Sequence, residues 1–209
     1  MTLKNEIGRI EAFSDGVFAI AITLLVLEIK VPPVSSIHSV NDLWHALKEL
    51  WPSYFAYILS FGFILIAWVN HHTCFNLVEH SSPSFMFANG FLLFNIAIIP
   101  FPTALLAEYI TTDYAQPAVV FYCFCYILQN LSWNLLFVSM KNSGLLKDNK
   151  SSSDAYSKFT KYSKQGAVLY LCITVLAWWF PKTALFINSL LWFVWLWLGI
   201  KNPLISKHS

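Results

Sequence analysis

The 209 residues are 57% hydrophobic and 17% aromatic, with only 11% charged. That leaves too little polar surface to cover a soluble domain of this size, so the chain reads as an integral membrane protein. A formal net charge of +2 offers no strong basic field, and no nucleic-acid partner is expected.

The relevant solvent is then a lipid bilayer core about 30 Å thick, which a helix crosses in roughly 20 apolar residues. Continuous apolar runs over about 13–31, 52–72, 85–107, 117–140, 165–181 and 184–200 predict six transmembrane helices. The runs do not alternate every second residue, which excludes barrel strands. The expected fold is all-α, a single six-helix transmembrane domain over residues 1–209 with no room for a separate soluble domain. A cleaved signal peptide is not expected, because the first run begins after Arg9 and Asp15 and is too long for an h-region.

The first run, RIEAFSDGVFAIAITLLVLEIKVP (9–32), places Arg9, Glu11 and Asp15 at its mouth and keeps its interior aliphatic apart from Thr23. At 100° per residue, Gly16, Ile20, Thr23 and Leu27 share a stripe about 60° wide, while Asp15 and Glu28 point elsewhere. By spacing alone the stripe reads first as ordinary close packing through Gly and Thr. Arg9 reads as a basic anchor, and Asp15 as an acidic group favoured near a helix N-terminus.

The second run ends in WVNHHTCF (68–75). His71 and Cys74 are three apart, yet His71 and His72 point about 100° apart and no other Cys/His pair has ligand spacing. A satisfied polar cluster is expected there, and no metal site. The cysteines, Cys74, Cys123, Cys125 and Cys172, are dispersed and read as small buried hydrophobes. Pro100 and Pro102 must bend or open the third run. The segment KNSGLLKDNKSSSDAYSKFTKYSK (141–164) is expected to be a solvated loop that orients the protein, with anionic lipid or partner binding as the alternative. Pro181 and Lys182 are expected to make the turn between the last two spans.

With an even number of spans, both termini and the loops after the second and fourth spans share one side. That side collects Lys4, Arg9, Lys141, Lys147, Lys150, Lys158, Lys161, Lys164, Lys201 and Lys207, against Lys30, Lys48 and Lys182 opposite. The positive-inside rule makes both termini cytoplasmic. Trp68, Asn70 and His71 then end the second span at the cytoplasmic face, where they are expected to hydrogen-bond to the Phe13-Ser14-Asp15 turn.

Catalytic signatures are absent from the sequence: no G-x-S-x-G, no H-E-x-x-H, no Walker loop and no G-x-G-x-x-G. Neither catalytic residues nor a cofactor is expected. A proton-linked or small-molecule secondary transporter stays open, although only the Pro100–Pro102 region looks interrupted and it has no counterpart in the second half.

The string Arg9-x-x-x-Phe13-Ser14-Asp15 with the following GVFAIAITLLVLEIKVP, joined by WVNHHTCF and PFPTALLAEY (100–109), resembles prokaryotic members of the transmembrane protein 175 family of potassium channels. The resemblance implies a homotetramer in the prokaryotic plasma membrane, a multi-pass protein whose hourglass pore is lined by the first helix of each subunit. It implies no T-V-G-Y-G carbonyl filter, and this sequence has none. Carried over by position, Ile20 is the narrowest hydrophobic ring, followed by Thr23 and Leu27 toward the extracellular end. Arg9, Phe13, Ser14 and Asp15 form the motif that fixes the pore helix. The implied function is passive conduction of potassium ions through a constriction that gates by dewetting.

Overall fold

The computed structural model describes residues 3–200, with side chains from 6 to 197. Its α-helices there are α1 (Leu3–Leu24), α2 (Val40–Glu49), α3 (Trp51–Phe75), α4 (Pro83–Ala97), α5 (Pro100–Tyr109), α6 (Ala115–Asn142), α7 (Lys150–Ala177) and α8 (Pro181–Ile200). Two short 3-10 turns, Leu25–Glu28 and Val34–Ser36, follow α1. Among the described residues, four segments are long and apolar enough to cross a membrane: Glu6–Glu28, Trp51–Phe75, Pro83–Tyr109 and Ala115–Asn142. They overlie the first four expected spans, and α7 and α8 overlie the last two. The side chain of Lys4, with Lys201 and Lys207, which entered the charge argument, lies outside the described residues.

Two expected connections are corrected. The hydrophilic stretch 141–164 is not one loop: α6 runs on to Asn142 and α7 starts at Lys150, so only 143–149 link them. Asn149 supplies the stop signal, since its Oδ1 accepts the Ser152 N–H at 2.8 Å and caps the new helix. Gly144, at φ 62°, takes the left-handed turn that ends α6. Likewise, Pro181 opens α8 while the chain turns at residues 178–180, because a proline without an N–H is tolerated in a helix's first turn. The stretch after α1 also contains α2, capped by the Ser39 hydroxyl accepting the Asp42 N–H at 3.2 Å.

The third expected span is divided where its prolines require. Pro100 cannot donate to the Ile96 carbonyl, which accepts from Ile99 N–H at 3.2 Å instead, and the Phe101 N–H turns to the Ile98 carbonyl at 3.0 Å. Just beyond the break, Thr103 donates to the Ser60 hydroxyl at 2.6 Å, and Ser60, Tyr122 and Tyr126 continue the chain at 3.1 and 2.8 Å. All four side chains are buried, so the polar groups at the break are satisfied inside the bundle.

Two apolar clusters fill the interior. One joins Phe18 of α1 and Leu25 of the following 3-10 turn to Ile64 and Phe75 of α3, Leu92 and Ile96 of α4 and Leu136 and Met140 of α6. The other joins Ala56, Leu106, Val119 and Tyr122 to Ala177, Ala184 and Leu185 of the last two helices. In lipid these contacts hold the bundle by close packing, because lipid tails are as apolar as the side chains. At one end the links α3–α4 and α6–α7 are stapled together. Glu79 N–H donates to the Leu145 carbonyl and Lys147 N–H to the Leu77 carbonyl, both at 2.9 Å, and Lys147 Nζ reaches the Asn76 carbonyl at 2.7 Å.

Candidate functional site

The first turns of α1 meet the last turns of α3 at that stapled end. The contact is polar and nearly every member is partnered. Trp68 donates its indole N–H to Asp15 Oδ1 at 2.8 Å. Ser14, wholly buried, gives its hydroxyl proton to the Ile10 carbonyl at 2.8 Å and accepts from Asn89 Nδ2 at 3.0 Å. Because the Asn89 amide donates through nitrogen, its Oδ1 is the acceptor for His71 Nε2 at 2.9 Å, which places the imidazole proton on Nε2. The relay therefore runs in one direction, His71 to Asn89 to Ser14 to the α1 backbone, and ties three helices together.

His71 is also clamped by rings, edge-on to Phe18 at 5.3 Å and stacked on Phe75 at 4.2 Å between centroids. One helical step on, His72 Nδ1 meets Glu11 Oε1 at 2.7 Å, so successive residues of α3 hold successive turns of α1. Arg9 is exposed and has no hydrogen bond or ion pair among the described residues. Phe13 is 66% exposed, turned about 100° around the helix from Ser14.

The rest of α1 has two unlike faces. Ser14, Phe18, Ala21 and Leu25 are buried against the bundle. Gly16, Ile20, Thr23 and Leu27 are exposed along the opposite face, Ile20 at 60% and Leu27 at 62%. Ile22 is half-buried and packs on the interior cluster. Thr23 spends its hydroxyl proton on its own helix, with the Ala19 and Ile20 carbonyls at 3.0 and 2.9 Å. Its oxygen lone pairs are left facing outward. Beyond Leu24 the helix tightens to 3-10 geometry, so Ile20 and Leu27 are separated by about 12 Å along the axis.

The sequence had Trp68, Asn70 and His71 hydrogen-bond to the Phe13-Ser14-Asp15 turn; Trp68 does so directly, and His71 reaches Ser14 only through Asn89. Asn70 is not part of that contact; it turns away and lines a cavity among α3, α6, α7 and α8. Asn89, Glu11 and His72 complete the cluster and were not among the expected partners. The available signal for Asn89 was an amide, one of two with Asn95, in the apolar run PSFMFANGFLLFNIA, costly in a membrane unless bonded.

Fold and site together define a multi-pass α-helical membrane protein. Its residues 9–100 match the family described as endosomal/lysosomal potassium channel TMEM175. A potassium channel from Chamaesiphon minutus is 45% identical over 168 residues, 80% of this chain and 82% of that protein. One from Streptomyces collinus is 47% identical over 145 residues, 69% of each chain. The crystal structure of a lysosomal potassium-selective channel TMEM175 homolog from Chamaesiphon minutus superposes with a TM-score of 0.83 at 38% identity, over 93% of this chain and 98% of that one. The chain belongs to the TMEM175 family of potassium channels, which are not enzymes.

Proposed function

We propose that the chain is one subunit of a homotetrameric, passive, potassium-permeable cation channel in a prokaryotic plasma membrane, with six spans and both termini cytoplasmic. The relatives from Chamaesiphon minutus and Streptomyces collinus carry the name potassium channel, which supports the ion. The observation that carries the pore assignment is the stripe Gly16, Ile20, Thr23 and Leu27, which is left exposed among the described residues although α1 is firmly held on its other side.

In this reading four copies of α1 surround the axis. Four Ile20 side chains form an apolar ring narrow enough to dewet, and a small rotation of α1 widens it. Four Thr23 oxygens, their protons already committed to the helix, offer lone pairs one turn beyond. Potassium sheds its hydration water more readily than sodium, so a ring that replaces only part of that shell favours potassium. The motif serves as the mount: Ser14 and Asp15 fix the rotation of α1 through Asn89, His71 and Trp68.

A coupled transporter needs a helix break that opens to its substrate, whereas the break before α5 is filled by the bonded Thr103, Ser60 and Tyr122 hydroxyls. The deciding experiment is a planar bilayer recording on protein whose mass in native mass spectrometry is that of a tetramer. The expected result is unitary currents that reverse near the potassium equilibrium potential. Monomers or dimers alone under lipid-retaining conditions, or a reversal set by a coupling stoichiometry, would reject the reading.

A further inference from the structure

Away from α1, a cavity of about 290 Å³ lies among α3, α6, α7 and α8 of a single chain. Apart from His71 Nδ1, the buried side-chain polar atoms left without a partner among the described residues gather on the helices around this cavity. Gln129 is 2% exposed, yet among the described residues neither its Oε1 nor its Nε2 has a hydrogen-bond partner. Asn188 Oδ1, Ser163 Oγ and Trp192 Nε1 line the same space and are likewise buried and unpartnered. Burying such groups unpaired is costly, and natural interiors hold few of them. Their convergence on one cavity marks a place built to receive hydrogen bonds.

The backbone is shaped for it as well. Gly62 on α3 lies so close to the Trp192 indole that a β-carbon there would run into the ring, and one at Gly166 on α7 would meet Asn130 Nδ2 at 2.8 Å. Both glycines let aromatic and amide side chains seat against the helices around the cavity.

The lining also defines what fits. Among the described residues the charged group on the cavity wall is Lys158, exposed at its edge, and no carboxylate lines the space. A cation would meet the Trp192 N–H and the Lys158 ammonium with no anion to pair with. An anion would have to leave water for a neutral interior. A neutral molecule offering both a donor and an acceptor matches the Gln129 amide, the Asn188 carbonyl and the Trp192 N–H together. The indoles and phenols between these groups, Trp133 and Tyr170 among them, suit a flat aromatic body.

We propose that this cavity is a second binding site, separate from the α1 stripe, for a small uncharged aromatic molecule bearing an amide-type donor and acceptor. Benzamide is the probe, titrated onto the full-length protein in lipid nanodiscs and followed by tryptophan fluorescence and thermal shift. Crystals soaked with 4-iodobenzamide locate it through the iodine anomalous signal. Saturable binding is expected, with the iodine inside the cavity at the end of the ring away from Gln129, Asn188 and Trp192, and affinity reduced about tenfold or more by Gln129→Met or by Asn188→Leu. Ile20→Asn, on the stripe, is expected to leave it unchanged.

Binding that fails to saturate by about 10 mM means a cavity holding water only and overturns the proposal. So does an iodine site confined to the α1 stripe or the lipid, or an affinity indifferent to both cavity variants. Where a variant fails to assemble, the iodine position in the unaltered protein decides.

Discussion

The two faces of α1 are made from similar residues and have opposite fates. The inner face, Ser14, Phe18, Ala21 and Leu25, is buried and tied by a directional hydrogen-bond relay. The outer face, Gly16, Ile20, Thr23 and Leu27, is just as apolar, yet the protomer leaves it bare. Hydrophobicity therefore does not choose which face turns inward, since lipid rewards both equally. The choice falls to the few polar groups that cannot be left in lipid: Ser14 and Asp15 have partners on one side of the helix only. It follows that inner-face changes should be felt as lost stability of each subunit, and outer-face changes as altered assembly and permeation.

The strongest way to break that contrast is Phe18→Ala. Phe18 is 1% exposed and packs edge-on against His71. Its truncation should cost about 3 kcal/mol, the low end for a buried phenylalanine, because in lipid the cavity term remains while the transfer term is largely absent. Reversible unfolding in mixed micelles should show this, with Phe13→Ala, on the exposed side, close to the parent. Next in size is Asn89→Ala, which strips a donor from Ser14 and an acceptor from His71 at once. A loss of about 1–3 kcal/mol is expected. Equal stability of the Asn89 variant and the parent would mean that the relay does not hold α1.

How much of this was legible in the sequence varied with the length scale of the cause. The proline break follows from the absence of a donor on proline, and the loop charges put Trp68 and His71 at the same end as the motif of α1; the stripe, by spacing alone, read as ordinary close packing, and only the family resemblance turned it outward. What the spacing missed lies across helices. Asn70 sits between two residues that face α1 but one step of 100° turns it to the cavity. Asn89 looked like one polar residue in an apolar run until α4 packed beside α1. The helical start of α7 hid in a lysine- and serine-rich stretch, where composition favoured a loop and one capping asparagine decided otherwise. The cavity has no sequence signature, because its polar groups come from separate helices and are defined by having no partner.

A smaller effect sharpens the role of the motif. Asp15→Ala removes the acceptor for the Trp68 indole and should cost about 1 kcal/mol, since the pair sits near the solvated end of the helix. Arg9→Ala should leave subunit stability unchanged, Arg9 being exposed and unpaired among the described residues, and should alter tetramer stability or current instead. Lys150→Ala, an exposed residue in the first turn of α7, is the control for both. If all three match the parent in thermal shift and in potassium flux, the motif is only a membrane anchor.

The least effect on the subunit belongs to the stripe itself, where the contrast is most exposed to test. Ile20→Asn replaces a side chain that touches little within its own chain, so subunit stability should move by no more than about 0.5 kcal/mol. In the proposed tetramer the same change would set four amides in place of the four butyl groups of the proposed apolar ring. The constriction should stay wet, conduct more readily and discriminate less between potassium and sodium. Ile22, about 160° around the helix and half-buried on the interior cluster, should behave in reverse. Ile22→Val should cost about 0.5–1.5 kcal/mol and leave permeation as it was. Both fluxes are measured into liposomes at matched incorporation, beside unfolding of the same preparations. Parental selectivity in Ile20→Asn together with altered selectivity in Ile22→Val would assign the pore to the other face of α1.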